Sequence, residues 1–488
     1  MRNFLVMAIA GALLAGASGC GGTSPATLSW HSCHGRFECA TLSVPVSYAD
    51  PGGAQIPISL IKLVAGRRHP VADIVLNPGG PGASGVEFLK QELHLLSPAL
   101  RSQFTLVSFD PRGVGSSEPL QCLTRAQTIS LGGLNPVPTT PQQIRHVVSA
   151  TKAFVRGCKK SASASFIASM STANTARDMD RLRVALGQKR LTYVGFSYGT
   201  YLGTVYAEMF PSRIRAMVFD GAVDPSLAPA TVDAQHAAGF ETDLHEFFAW
   251  CTQRSSCAGR FSTSPSEAYA TLFAFFKSGH SMPAYLRAPL KRVKSVNYGI
   301  ALGGVLAALY SKTTWPILGQ ALASAKDFDG SLLAALAYSF SGLNPDGSFS
   351  NIVSANAATA CLDGPKPTTI REHEERARQL AKSAPNFGAA VAWSGLACLY
   401  WPARAEGHPA PAHAPGAPPI LVVGSTGDPA TPYAWAEALA RQLPRATLLT
   451  RTGAGHTAYR SSSCIRRWVD RYIETLRMPP AGTVCPSD

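Results

Sequence analysis

Between residues 72 and 221 of this 488-residue chain, short apolar runs of strand length alternate with stretches of helical pattern, and this rhythm constrains the fold more than any other feature. ADIVLN (72–77), QFTLVSFD (103–110), RLTYVGFS (190–197) and RAMVFDG (215–221) read as buried strands, with DMDRLRVAL (178–186) and the stretch after Ser197 as helices. Strands that are apolar on both faces and separated by helices predict a mostly parallel sheet covered by helices, the α/β class. Ahead of them, ATLSVPVSY (40–48) and IPISLIKLV (56–64) flank the turn Asp50-Pro51-Gly52-Gly53 and predict an antiparallel hairpin. The rhythm stops near Pro225. From 226 to about 357 the chain reads as helical, and strand signals return at PPILVVGS (418–425) and ATLLTRTG (446–453), after a loop with six prolines. A helical block between strands of one sheet reads as an inserted cap. The resulting division is core at 30–225, cap at 226–357 and the rest of the core at 358–488.

The N-terminus assigns a compartment. Arg2, the apolar stretch 4–17 and the small residues Ala17, Ser18 and Gly19 before Cys20 have the form of a bacterial lipoprotein signal, residues 1–19, with Ala17 where the lipobox usually has leucine. Cleavage leaves Cys20 as a lipidated N-terminus on a Gly/Ser/Thr-rich tether, residues 20–29; cut nearby as an ordinary secretory signal, it releases the protein. Either way the protein is expected outside the cytoplasm. Ten further cysteines, an even number, agree with an oxidising compartment. Sequence leaves about 945 connectivities open; the spacing favours sequential pairs, Cys33 with Cys39, Cys122 with Cys158, Cys251 with Cys257, Cys361 with Cys398 and Cys464 with Cys485. The formal charge of +14 is compatible with nucleic acid, an anionic envelope surface or no more than an Arg-rich composition, and for an exported, tethered protein the envelope is the expected neighbour rather than nucleic acid. Forty-six per cent hydrophobic and 15% charged residues exclude a disordered chain.

Four motifs carry chemistry. Gly195-Phe196-Ser197-Tyr198-Gly199 fits G-x-S-x-G between a strand and a helix, the context of a nucleophile elbow, and Ser197 is the candidate nucleophile. LNPGGPGASG (76–85) follows the strand whose loop supplies one backbone N–H of an oxyanion hole. Pro78 and Pro81 have no N–H, which leaves Gly79, Gly80 or Gly82; Gly80, together with the amide of Tyr198, is the preferred donor. Asp428 in STGDPATP and His456 in TGAGHTAY stand on loops after strands, and the order Ser197, Asp428, His456 is that of α/β-hydrolase triads. No zinc spacing, H-E-x-x-H or nucleotide loop occurs, so neither metal nor organic cofactor is indicated.

The set NPGGPGASG, SFDPRGVGSS (108–117), TANTARDMDRLRVALG (172–187), YVGFSYGTYLG (193–203), FDGAVDP (219–225), GDPATP and GAGH resembles the secreted tripeptidyl aminopeptidases of actinobacteria, in the prolyl aminopeptidase group of α/β-hydrolase serine peptidases. The likeness runs from about Trp30 to Cys485 and takes in the ATACLDGP stretch around Cys361. It implies an α/β-hydrolase fold with a helical cap, a TAP-like C-terminal region, and Ser197, His456 and Asp428 as nucleophile, general base and orienting acid. Asn77-Pro78 stand where the wider group's His-Gly-Gly-Pro-Gly motif has a histidine before the glycines. The resemblance further implies a peptide substrate with a free N-terminus, for which Asp233, Glu241, Asp243 and Glu246 are available carboxylates. The same triad serves a carboxylesterase or lipase of the envelope. A non-catalytic binding module on a hydrolase scaffold is disfavoured by the intact triad.

Overall fold

The computed structural model describes residues 28–92, 95–287 and 290–488; the leader, Cys20 and the tether up to residue 27 lie outside the described residues. The strands are β1 (His31–Cys33), β2 (Phe37–Pro45), β3 (Gln55–Leu63), β4 (Asp73–Asn77), β5 (Thr105–Phe109), β6 (Leu191–Phe196), β7 (Ile214–Asp220), β8 (Met282–Pro283), β9 (Ser295–Val296), β10 (Ile420–Gly427), β11 (Ala446–Ala454) and β12 (Val484–Cys485). Ten of them form one sheet in the order β1-β2-β3-β5-β4-β6-β7-β10-β11-β12. The hairpin pairs antiparallel, with Ile58 opposite Leu42, and every pair from β5 to β12 is parallel. The short β8 and β9 pair separately within the helical block.

Side chains that alternate along a strand point to opposite faces, which explains why these strands are apolar throughout. Val75, Val107, Tyr193, Met217 and Val422 pack on one face with Met179, Leu182 and Leu202. Their neighbours Ile74, Leu106, Val194, Val218 and Leu421 pack on the other with Leu89, Ile465 and Val469. Each such fully buried aliphatic side chain contributes about 1.5–3 kcal/mol.

Between β7 and β10 the chain is helical, beginning with the 24-residue helix Pro229–Thr252. This block has an apolar core of its own, built on Phe240, Phe247, Trp315, Leu318 and Tyr338. The helical stretch runs past residue 357, through Ile370–Ser383 and Gly388–Ser394 to Tyr400. Helix Ile352–Leu362 spans that position and packs on the sheet core through Ala355, Ala358 and Leu362. Among the described residues no helix is long and apolar enough to cross a membrane.

Five disulfides join the ten cysteines in sequential pairs, Cys33–Cys39, Cys122–Cys158, Cys251–Cys257, Cys361–Cys398 and Cys464–Cys485. They staple edges and helix ends: Cys33–Cys39 ties β1 to β2, and Cys464–Cys485 ties β12 to helix Ser463–Thr475. Cys33, His34 and Cys39 stand at metal-ligand distances, but the disulfide consumes both sulfurs.

The loop after β5 is locked by a buried ion pair. Arg112 donates from Nε and Nη2 to the two oxygens of Asp178, at 2.7 and 2.6 Å, and further to the carbonyls of Pro45, Val46 and Ser169. Tyr48 donates to the same Asp178 at 2.7 Å. The guanidinium thereby holds together the hairpin, the SFDPRGVGSS loop and helix Thr172–Ala185. Removing one partner of a buried pair leaves the other charge unpaired, at a cost of roughly 3–5 kcal/mol. Arg112→Ala is therefore expected to destabilise the fold by about that amount in a urea titration; a change below about 1 kcal/mol would show that the pair is not holding these segments together.

Candidate active site

Ser197 sits between β6 and helix Tyr198–Met209 with φ +55° and ψ −127°, a left-handed backbone conformation that few side chains tolerate. Its neighbours explain the spacing of the motif. A Cβ on Gly195 would lie 2.4 Å from the carbonyl oxygen of Gly199, and one on Gly199 would lie 2.8 Å from Oδ1 of Asn77. Gly203, one turn further on, lies against the rings of Phe219 and Tyr193. The turn is held by Ser197 N–H donating to the carbonyl of Asp220 at 2.9 Å and by Thr200 Oγ1 donating to the Ser197 carbonyl at 2.6 Å.

Asp428 follows the end of β10 and is 4% exposed. Oδ1 accepts from the amides of Ala430 and Thr431, and Oδ2 accepts from Thr431 Oγ1 and the amide of Thr457. His456, on the loop after β11, directs Nδ1 at both carboxylate oxygens, 2.9 and 3.0 Å away. That contact places the proton on Nδ1 and leaves the lone pair on Nε2, which is buried and has no hydrogen-bond partner among the described residues. Gly221, just after β7, lies against the histidine: a Cβ there would lie 3.1 Å from Cε1 of His456. The structure thus brings Asp428 and His456 into contact, while no hydrogen bond joins Ser197 Oγ to His456 Nε2 among the described residues. Burial pushes both groups toward their neutral forms, but their mutual attraction prevails, so the Asp428 carboxyl falls below its ordinary value and the His456 imidazole rises above its own.

The motifs leave three supporting residues unmarked. Thr431 bonds the Asp428 carboxylate and lies 3.3 Å from His456 Nδ1. Asp220, buried at the end of β7, accepts the amides of Ala458 and Tyr459 at 2.8 and 2.9 Å and so anchors the histidine loop. Tyr310, from the helical block, accepts the His456 amide through its carbonyl and sets its ring edge-on to the imidazole at 5.6 Å. The available signal for Thr431 is its place three residues after Asp428, and for Asp220 its place as a polar residue ending a strand; nothing local marks Tyr310.

The loop after β4 lies against the elbow. A Cβ on Gly79 would lie 3.0 Å from the Tyr198 nitrogen, and the Gly79 N–H is already committed to Asn77 Oδ1 at 2.9 Å. Of the three glycine donors only Gly80 and Gly82 then remain, and Gly82 is pressed against helix Ile352–Leu362. Asn77, which departs from the wider group's pattern, has a clear role here as acceptor for the loop. Asp110 braces the loop's far end, accepting from Ser84 Oγ at 2.5 Å and from the amide of Val86.

Two of the four carboxylates named for substrate recognition are engaged. Asp233 pairs with Arg376, and Glu241 accepts from both nitrogens of Asn386. Asp243 is buried, which pushes its carboxyl up to about 8, and Glu246 is exposed. Asp243 Oδ2 has no hydrogen-bond partner among the described residues, and repulsion from Glu246 and Asp428 adds to the effect of its burial.

A parallel sheet with a serine on a strained elbow and an Asp–His pair at later strand ends defines a serine hydrolase of the α/β-hydrolase fold. The family model described as alpha/beta hydrolase fold matches residues 74–321, and that described as TAP-like protein matches 384–485. The chain is 35% identical over 459 residues to serine protease Hip1 of Mycobacterium tuberculosis, covering 92% of this chain and 88% of that protein. It is 34% identical over 479 residues to carboxylesterase B of the same organism, with 94% and 89% covered. Against tripeptidyl aminopeptidase of Streptomyces lividans the identity is 28% over 477 residues, with 94% and 87% covered. The chain belongs to the TAP-like family of α/β-hydrolases.

The charge arrangement sets a pH dependence. A base must be neutral to accept a proton, and the neighbouring carboxylate raises the pH at which His456 becomes neutral. The acid limb of kcat/KM is expected above the ordinary histidine value of about 6.5. Asp428→Asn should lower that limb and reduce kcat on the order of 10⁴-fold. A limb at or below 6.5 in the unaltered protein would contradict the pairing.

Proposed function

We propose that this protein is an exported aminopeptidase that cleaves peptides with a free N-terminus, tripeptidyl or aminoacyl, through an acyl-enzyme on Ser197. The observation that carries the mechanism is the two-oxygen contact of Asp428 with His456 Nδ1, which leaves Nε2 as the proton acceptor. In this reading His456 Nε2 takes the Ser197 hydroxyl proton as Oγ attacks the scissile carbonyl. The oxyanion is received by the amides of Gly80 and Tyr198. His456 then delivers its proton to the departing amine, and water repeats the sequence to release the N-terminal fragment.

The peptide reading is supported by the names of two relatives, a serine protease and a tripeptidyl aminopeptidase. The carboxylesterase relative, similar at nearly the same identity, supports esters as the second reading. Assay of aminoacyl and tripeptidyl amides beside simple esters, with and without N-terminal blocking, separates them. Blocking should abolish most amide turnover; equal rates on blocked and free substrates would oppose an aminopeptidase. Ser197→Ala should reduce kcat by about 10⁶ with folding intact, and ordinary turnover by that variant would remove Ser197 from the mechanism.

Export is proposed from the leader, and the five disulfides support it. With Cys20 lipidated, the enzyme is held on the extracytoplasmic face of the cell membrane. Cys20→Ala should then move activity from the membrane fraction to the medium; an unchanged distribution would oppose the anchor.

A further inference from the structure

We propose that helix Ile352–Leu362, with the residue that follows it, is the positioning element of the oxyanion hole: Asn356 sets the loop that carries Gly80, and Asp363 sets Tyr198. The proposal rests on the reading of Ser197 as nucleophile and of those two amides as donors. It gives a role to the ATACLDGP stretch, whose chemistry the triad does not absorb.

Consider first the loop. Gly79, Gly80 and Gly82 have φ of +92°, +109° and +91°, so the segment is built from residues with the greatest backbone freedom. A donor on such a loop points reliably only if the loop is held from outside. On one side of Gly80, Asn77 Oδ1 accepts the Gly79 amide at 2.9 Å. On the other, Asn356 Nδ2 donates to the Pro81 carbonyl at 3.1 Å. The contact with the helix is close, since a Cβ on Gly82 would lie 2.8 Å from Asn356 N and 2.9 Å from the Ile352 carbonyl oxygen. Gly80 therefore lies between two clamps, one on the sheet and one on this helix.

At the other end, Asp363 reaches the second donor through one intermediary. Its Oδ1 accepts the Thr172 amide at 2.9 Å and its Oδ2 accepts the Thr172 hydroxyl at 2.5 Å. With the Thr172 proton committed to the carboxylate, the Tyr198 phenol donates to Thr172 Oγ1. The side chain of the residue whose amide faces the reacting carbonyl is thus fixed at its far end. The helix is itself immobilised: Ala355, Ala358 and Leu362 are buried in the sheet core, and Cys361 is bonded to Cys398 in the turn Gly395–Tyr400. Asn356 and Asp363 touch neither Ser197 nor His456 in the hydrogen bonds described, so they are positioning residues.

Hydrogen bonds to an oxyanion act on the transition state and not on the bound substrate. Removing one donor outright costs about 10²- to 10³-fold in kcat, and a misplaced donor should cost less, roughly 10- to 100-fold. Asn356→Ala and Asp363→Ala are expected to lower kcat by that factor with KM nearly unchanged, using whichever amide or ester substrate the native enzyme turns over. Affinity for an aminoacyl boronic acid, whose serine adduct carries the oxyanion, should weaken by the same factor. Thermal unfolding and covalent labelling of Ser197 by a fluorophosphonate report whether each variant retains a folded site. Tyr198→Phe deletes only the hydroxyl and decides the Asp363 arm should Asp363→Ala fail to fold; Asn356→Ser, which keeps a short polar side chain, serves likewise for the other arm. Native kcat and boronate affinity in folded variants would overturn the proposal, as would a loss confined to KM. If Ser197→Ala retained turnover, or the probe labelled another residue, the nucleophile reading would fail instead.

Discussion

The architecture of the site depends on one backbone constraint, the left-handed conformation of Ser197. Conformations of this kind cost about 1–3 kcal/mol and persist where the surroundings leave no alternative. Here the surroundings are the end of a buried strand without room for a Cβ at Gly195, the start of a helix without room for one at Gly199, and three hydrogen bonds to the Ser197 backbone. The helix that the turn launches must approach the sheet closely, and Gly203 against Phe219 and Tyr193 permits that approach. The strain therefore has its support in the sheet, which explains why a parallel sheet buried on both faces carries the serine.

Asp220 joins this turn to the histidine. Its carbonyl receives the Ser197 amide, while its carboxylate receives the amides of Ala458 and Tyr459 two and three residues beyond His456. One residue thus carries the relative placement of two loops that are far apart in sequence. The acid comes from the next strand, β10, which is hydrogen-bonded to β7 with Val423 opposite Asp220. The three members of the site follow β6, β10 and β11, with β7 and its Asp220 between the first and second, and main-chain contacts fix these strand ends before side chains align.

What is legible in the sequence is what local physics writes there. Apolar runs locate the strands, Asp50-Pro51-Gly52-Gly53 locates the hairpin turn, and glycine spacing around Ser197 marks the elbow because the clashes it avoids lie within a few residues. Helix Pro141–Ser161 carries equally local marks, with a Thr140–Gln143 capping box and Pro141 in its first turn, and lies outside the elements read from the apolar runs. The limit of the helical block is harder to read, since helix Ile352–Leu362 belongs by packing to the sheet core and by sequence to a helical run. Tyr310, Asn356 and Asp363 act across long separations, and no short window contains both partners. The same applies to Asp233 and Glu241, whose partners Arg376 and Asn386 lie 143 and 145 residues away.

Gly239 gives the inserted helices a mechanical part in the chemistry. It lies on helix Pro229–Thr252, and a Cβ there would fall 2.5 Å from the carbonyl oxygen of Pro429, the residue after Asp428. With Tyr310 also bonded to the His456 amide, the block is seated directly on the acid and base loops. The inserted helices thus act as a wall behind the proton relay, and a change of packing in them can reach the Asp428–His456 contact through its two loops without touching either side chain.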